Sequence, residues 1–258
     1  MGTAAPELID RAWSRQDILA WLEELADQRV RALIGLDLSP AFPFEDEGAY
    51  FPGWALSPSD GPSLWHLVDS LATSDPHLSA TSFVSHPDAR RHFRQRGDCG
   101  DLFPPGRGRF RMCEHGQELL RLSPYSCFNL VGASQVGKSS LTGMRVLHRL
   151  RGKLGLWPFD PVPDEGPLLV EIYTALPSRL AGMRKGTSKI RDAQSLDSLL
   201  DRFGSMPHQP LPRYDDHATD AILSAAWLRH AVNDPDLWTP SRLTPELART
   251  EGWTFGVL

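Results

Sequence analysis

The chain has 258 residues and a net charge of −5, with 41% hydrophobic and 23% charged residues. This composition supports a sizeable core and excludes a globally disordered chain. No apolar run reaches the ~20 residues that span a bilayer, and the acidic N-terminus lacks the apolar stretch of a secretory signal. We therefore expect a cytoplasmic protein with no membrane partner.

The apolar pattern predicts an alternation of helices and buried strands. A capping-box variant, Ser14 to Asp17, opens the first helix. The predicted elements, in chain order, are a helix over 18–25, a buried strand over 31–38, an ordered loop over 40–62, a helix over 63–72, a short strand over 128–131, a helix over 139–150, a buried strand over 168–173, helices over 192–203 and 216–232, and an edge strand over 253–258. Residues 74–125 carry no clear pattern. A single α/β domain over 1–258, with a long insertion over roughly 40–125, explains this order most simply.

Positive charge is clustered within this acidic chain. Segments 89–111, 138–153 and 179–191 each carry a net charge of +5. Clustered Lys and Arg are typical of a face that binds a polyanion such as nucleic acid. The same clusters also fit solvated helix and loop surfaces. The three cysteines, Cys99, Cys113 and Cys127, form no Cys-x-x-Cys pair, which disfavours a disulfide framework and a zinc site.

The segment Gly132–Ser139 matches the pattern Gly-x-x-x-x-Gly-Lys-Ser of phosphate-binding loops. In such loops backbone N–H groups surround a phosphate and the lysine, here Lys138, contacts the outer phosphates. A protein of that class needs several more parallel strands after the loop, whereas only the strand over 168–173 follows here. Nucleotide binding and hydrolysis is therefore one alternative interpretation of this segment. The other is structural: a glycine-rich turn that begins a helix.

Carboxylates occur where burial makes them costly. Asp37 and Glu171 lie inside the two buried strands, and Asp216 and Asp220 lie four residues apart on a late helix. Acids from two strands and a helix form the arrangement of a two-metal phosphodiesterase, in which oxygen ligands hold Mg²⁺ or Mn²⁺. The expected metal ligands are Asp37, Glu171 and Asp220, with Asp216 or His217 assisting in catalysis.

The chain resembles a bacterial family known as domain of unknown function 429, whose members are predicted to be RNase H-like nucleases. The resemblance rests on the order of these short stretches: Leu33–Asp37 with Phe42-Pro43, Arg109–Glu114, Phe128–Gly143, Trp157–Asp160, Val170–Tyr173 and Asp216–Ala221. It implies an RNase H-like mixed β-sheet flanked by helices. It also implies a metal-dependent nuclease with Asp37, Glu171, Asp216 and Asp220 as catalytic residues.

Basic residues near these motifs are candidates for contacts with the phosphates of a nucleic acid. The candidates are Lys138, Lys185, Lys189, Arg109 and Arg111. Arg109, Arg111 and Glu114 fit a structural salt bridge equally well. A further alternative is an RNase H-like scaffold that binds nucleic acid or a protein without cutting.

Overall fold

A computed structural model describes residues 4–9, 11–132, 135–184 and 189–258. Over these residues the chain forms an α/β fold with nine α-helices and a small parallel sheet. The elements, in order, are α1 (Arg15–Asp27), β1 (Leu33–Leu36), α2 (Gly61–Leu71), α3 (Thr81–Ser85), β2 (Arg94–Gln95), β3 (Asp98–Cys99), α4 (Met112–Leu119), α5 (Val136–Leu150), β4 (Gly155–Trp157), β5 (Leu168–Glu171), α6 (Ala175–Leu180), α7 (Ala193–Asp201), α8 (Asp216–Ala231) and α9 (Pro245–Thr250).

The main sheet has the order β1-β5-β4, and both strand pairs are parallel. A mixed sheet was expected from the sequence. Antiparallel pairing occurs in the described residues only in the separate two-residue ladder of β2 and β3. The tail over 253–258 makes a single bridge, Glu171 to Thr254, in place of the expected edge strand.

Side-chain alternation along β5 divides the core into two layers. Leu169 belongs to an apolar cluster with α1, α2 and α5, whereas Leu168 and Val170 belong to a cluster with α6, α7, α8 and the tail. Because successive residues of a strand point to opposite faces, helices cover both faces of the sheet. Within the described parts of the chain, no helix is both long and apolar enough to cross a membrane.

Helix starts follow the capping signals of the sequence. Ser14 and Asp17 form a reciprocal capping box at α1, and Asp215 caps α8 by accepting a hydrogen bond from the Ala218 N–H.

The long segment between β1 and α5 is held by charged side chains. Glu251 accepts hydrogen bonds from the backbone N–H groups of Phe44 and Glu45, which ties this segment to the end of α9.

Candidate active site at the carboxyl ends of the parallel strands

Gly35 sets the distance between β1 and α8. A Cβ atom at this position would lie 2.8 Å from Leu228 Cδ1 and 2.9 Å from Ile172 Cγ2. A side chain at this position would displace those of Leu228 and Ile172, so glycine allows Leu228 of α8 to pack directly on the strand. Asp37 is two residues beyond Gly35, on the same face, and Asp220 is eight residues before Leu228, on the same side of the helix. The close packing thus brings Asp37 and Asp220 together.

Asp37 and Asp220 line one cavity of about 1020 Å³, together with Thr174 and His217. The cavity runs along β1 and reaches the carboxyl ends of β1 and β5, where Asp37 and Thr174 line it. The carboxyl ends of parallel strands are the usual location of ligand sites in such sheets. Thr174 Oγ1 donates to Asp37 Oδ2 at 3.4 Å. Two carboxylates from separate elements therefore share a solvent-reachable space.

The surroundings of both carboxylates raise their pKa above the ordinary value. Desolvation raises the pKa of Asp37, with a further increase from the negative charge of Glu171. Desolvation, with the charges of Asp216 and Asp37, raises the pKa of Asp220 to about 6, against the lowering effect of Lys189. A pair of acids in this state gains most from a nearby cation.

Asp216 lies on the first turn of α8 and is neutralised by neighbours. It forms ion pairs with Lys189 and with Arg191, the latter at 2.6 Å. The hydrogen bond from Lys189 lowers the pKa of Asp216. Asp216 therefore holds the basic segment against the site, while Asp220, one turn further, faces the cavity.

Contrary to the sequence prediction, Glu171 does not lie beside Asp37 and Asp220, because its side chain faces the opposite side of the sheet from Asp37. In the parallel register Leu36 is opposite Glu171, so Asp37 and Glu171 point to opposite faces. Both Glu171 oxygens are held by Arg111, at 2.5 and 2.8 Å, and Thr254 donates to one of them. Glu171 is thus one half of a buried ion pair and does not join Asp37 and Asp220 at the cavity.

The two arginines proposed as phosphate contacts are internal supports. Arg109 is buried and donates to Asp46 and to the carbonyls of Pro43, Ala49 and Tyr50. Arg111 is fully buried and donates to Glu171, Glu114 and the Glu251 carbonyl. Desolvation raises the pKa of Glu114 despite this partner. These guanidinium groups are committed to protein acceptors, so we do not include them in the site.

Within the segment that matches a phosphate-binding loop, Ala133 and Ser134 lie outside the described residues, and residues 135–139 begin α5 and pack it against the chain. A Cβ on Gly137 would lie 2.0 Å from the Cys127 carbonyl oxygen, so this glycine allows α5 to approach the preceding segment. Ser139 Oγ donates to the Val136 carbonyl of its own helix. Lys138 is exposed at a separate space of about 360 Å³. The predicted strand over 128–131, which is fully described, forms one bridge, Arg94 to Asn129, and does not join the parallel sheet.

Lys189 lines a cleft of about 310 Å³ that also contains Asp216 and Asp220. Arg121 and Arg179 line the same cleft. Lys185 lies outside the described residues. Of the candidate phosphate contacts, Lys189 is therefore the described one that lies beside the carboxylate pair.

Asp37 and Asp220 are fewer donors than the expected two-metal site requires. No group of three His, Cys, Asp or Glu side chains within the described ranges is arranged to hold a metal ion. Asp37 and Asp220 supply two oxygen ligands of the kind that Mg²⁺ uses together with water and substrate phosphates. The three-carboxylate cluster of Asp37, Glu171 and Asp220 does not form, because Glu171 is paired with Arg111.

Sequence reasoning missed the residues that shape the site. A lone glycine inside the strand pattern is the signal that could have identified Gly35 as a point of close approach. No local signal places Arg121 or Trp238 near Asp220, because they come from distant segments. No family model, curated protein or solved structure matches this chain.

Proposed function

We propose that the chain is a metal-dependent phosphodiesterase of RNase H-like type that hydrolyses nucleic acid at the Asp37–Asp220 pair. The observation that supports this most is the shared cavity. Two carboxylates line it, one just beyond β1 and one on α8, each with a raised pKa, directly beside a cleft with basic side chains. Acidic and basic groups side by side suit a cation and a phosphodiester together.

In this proposal each residue of the site has a separate role in catalysis. Asp37 and Asp220 would hold Mg²⁺ or Mn²⁺, and Lys189 would offset the charge of the adjacent phosphate. A bound divalent cation supplies positive charge that polarises a phosphoryl oxygen and lowers the pKa of an attacking water. His217 lines the same cavity and is exposed, and in this proposal it would accept a proton from the attacking water.

The test is a cleavage assay with labelled single-stranded and duplex DNA and RNA, in Mn²⁺, in Mg²⁺ and in a chelator. We expect metal-dependent cleavage that falls at least about 100-fold in Asp37→Asn and in Asp220→Asn. Asp201→Asn, at an exposed position at the end of α7, is the matched control and should cleave as the unchanged protein does.

Two results would reject the proposal. One is cleavage that survives unchanged in both Asp37→Asn and Asp220→Asn. The other is tight binding of nucleic acid with no cleavage in any metal, which would assign the chain to the non-catalytic scaffolds. Hydrolysis of ATP that is lost in Lys138→Ala would instead support the phosphate-loop alternative.

A further inference from the structure

Two concave spaces meet at Asp220 and Thr174. The larger has a volume of about 1020 Å³ and the smaller a volume of about 310 Å³. Asp220 and Thr174 line both spaces, so the two are neighbours across these residues. A ligand bound at the carboxylates therefore extends into two different environments.

The larger space has apolar, aromatic walls. Trp21 of α1 and Trp238, beyond the end of α8, line it from separate elements, and both are half-buried. Trp238 is held in place, because its Nε1–H donates to the Val232 carbonyl at 3.0 Å and its ring lies 4.7 Å from that of Phe255. Fixed indole rings in a concave wall are the usual partners of planar, aromatic ligands.

The same space runs along the free edge of β1. Among the described residues β1 pairs only with β5, where the carbonyls of Ala32 and Leu36 accept hydrogen bonds from that strand. Peptide groups alternate in direction along a parallel strand, so those of Leu33 and Gly35 face away from β5. Both residues line the cavity. An apolar cavity with backbone donors and acceptors along one side suits a ligand with a polar edge.

The smaller space is positively charged. Arg121, Arg179 and Lys189 line it. The Arg179 guanidinium is positioned by donating to the carbonyls of Met183 and Arg121. Basic side chains that share a cleft with Asp220 suit the phosphates of a nucleic-acid backbone next to the carboxylates.

We infer that the substrate is an unpaired nucleic-acid segment, with a nucleobase in the cavity between Trp21 and Trp238 and backbone phosphates in the cleft of Arg121, Arg179 and Lys189. This inference rests on the proposed function and names its substrate class. A base that is paired in a duplex is not available to such a cavity unless it leaves the stack, which costs free energy. An extended peptide could also add to the β1 edge, but its uncharged backbone would bring no phosphate to the cleft of Arg121, Arg179 and Lys189.

The test measures binding without metal, by fluorescence anisotropy of end-labelled single-stranded DNA in a chelator. A strand of equal length and charge that lacks its bases is the control ligand. We expect the baseless strand to bind about tenfold more weakly, the effect of losing base–aromatic stacking. Trp21→Ala should weaken binding of the normal strand about tenfold and leave the baseless strand unchanged.

Trp13→Ala is the matched variant, because Trp13 contacts Trp21 at a ring-centroid distance of 5.7 Å but does not line the cavity. It should leave both affinities unchanged. Equal binding of normal and baseless strands would overturn the inference, and this comparison needs no variant. A duplex that competes as well as the single strand would also overturn it, as would an apolar extended peptide that displaces the strand.

A failure of the inferred binding mode can be distinguished from a failure of the proposed function. Base-dependent binding without metal-dependent cleavage would reject the function and keep the binding mode. Cleavage that needs Asp37 and Asp220, combined with binding that ignores the bases, would reject the binding mode and keep the function.

Discussion

Replacing Gly35 by alanine tests the packing that creates the site. The added Cβ would lie 2.8 Å from Leu228 Cδ1 and 2.9 to 3.0 Å from two carbons of Ile172. Carbon atoms pack best at about 3.5 to 4.0 Å, so the side chains of Leu228 and Ile172 must shift by several tenths of an ångström, and we expect α8 to move with Leu228. Overpacking of this kind costs about 1–3 kcal/mol, which is less than the ~5–15 kcal/mol that stabilises a typical domain. The variant should therefore fold, with a displaced Asp220.

Two measurements check this expectation. Urea denaturation should show a fall of about 1–3 kcal/mol in the free energy of unfolding, and metal-dependent cleavage should fall more than tenfold. Combining Gly35→Ala with Leu228→Ala returns space to the new methyl group, so the pair should destabilise by less than the sum of the two single variants. An additive pair, or a Gly35→Ala protein of unchanged stability and activity, would refute the packing argument.

Further predictions concern the buried polar groups and the glycine segment before α5. Desolvation lowers the pKa of His92 from its ordinary 6.5 to about 4. The free energy of unfolding should therefore be retained above pH 6.5 and fall by up to about 3 kcal/mol as the pH decreases to 4. Urea midpoints across this range should show the loss, and His92→Phe should reduce it. Arg111→Met leaves two buried glutamates without their counter-charge, and we expect the free energy of unfolding to fall by about 3–5 kcal/mol, a result that an unchanged urea midpoint would contradict. Gly137→Ala forces a methyl group against the Cys127 carbonyl oxygen and should lower stability by about 3 kcal/mol, whereas Lys138→Ala should change neither the thermal midpoint nor metal-dependent cleavage. Cleavage lost in Lys138→Ala would show that this lysine contacts the substrate.

Local signals predicted much of the secondary structure. The capping box at Ser14, the buried runs around 33–36 and 168–171 and the helices that became α5 and α8 were all predicted within a few residues. These features depend on neighbours within one turn or one strand, and such neighbours are visible in a sequence. By contrast, α4 and β4 were not predicted, because short elements leave little periodicity to detect.

The candidate site was predictable in part. Asp37 and Asp220 were identified as acids in costly positions, and they line one cavity in the structure. Glu171 was identified by the same reasoning, yet its position is one step out of register with Asp37, so its side chain faces the other side of the sheet. Its partner, Arg111, is 60 residues away in sequence. Strand register and long-range pairing decide which buried acid is structural, and neither appears in a local pattern.

The positive segments were also predictable only in part: their positions in the sequence were clear, but their partners in the fold were not. Most described arginines of the 89–111 segment pair with protein acids, as in the ion pairs of Arg91 with Asp101 and of Arg109 with Asp46. In the 179–191 segment, Lys189 lies beside Asp220 at the basic cleft. Counting charge along the chain locates basic segments, but only the fold shows which of them face a site and which neutralise neighbouring acids.

A calorimetric titration with Mn²⁺ tests the central claim most directly. The account predicts one site per chain that is lost in both Asp37→Asn and Asp220→Asn and retained in Asp201→Asn. Mn²⁺ that binds equally well to both of the first two variants would contradict it, because a cation held elsewhere would leave the shared cavity without its proposed role.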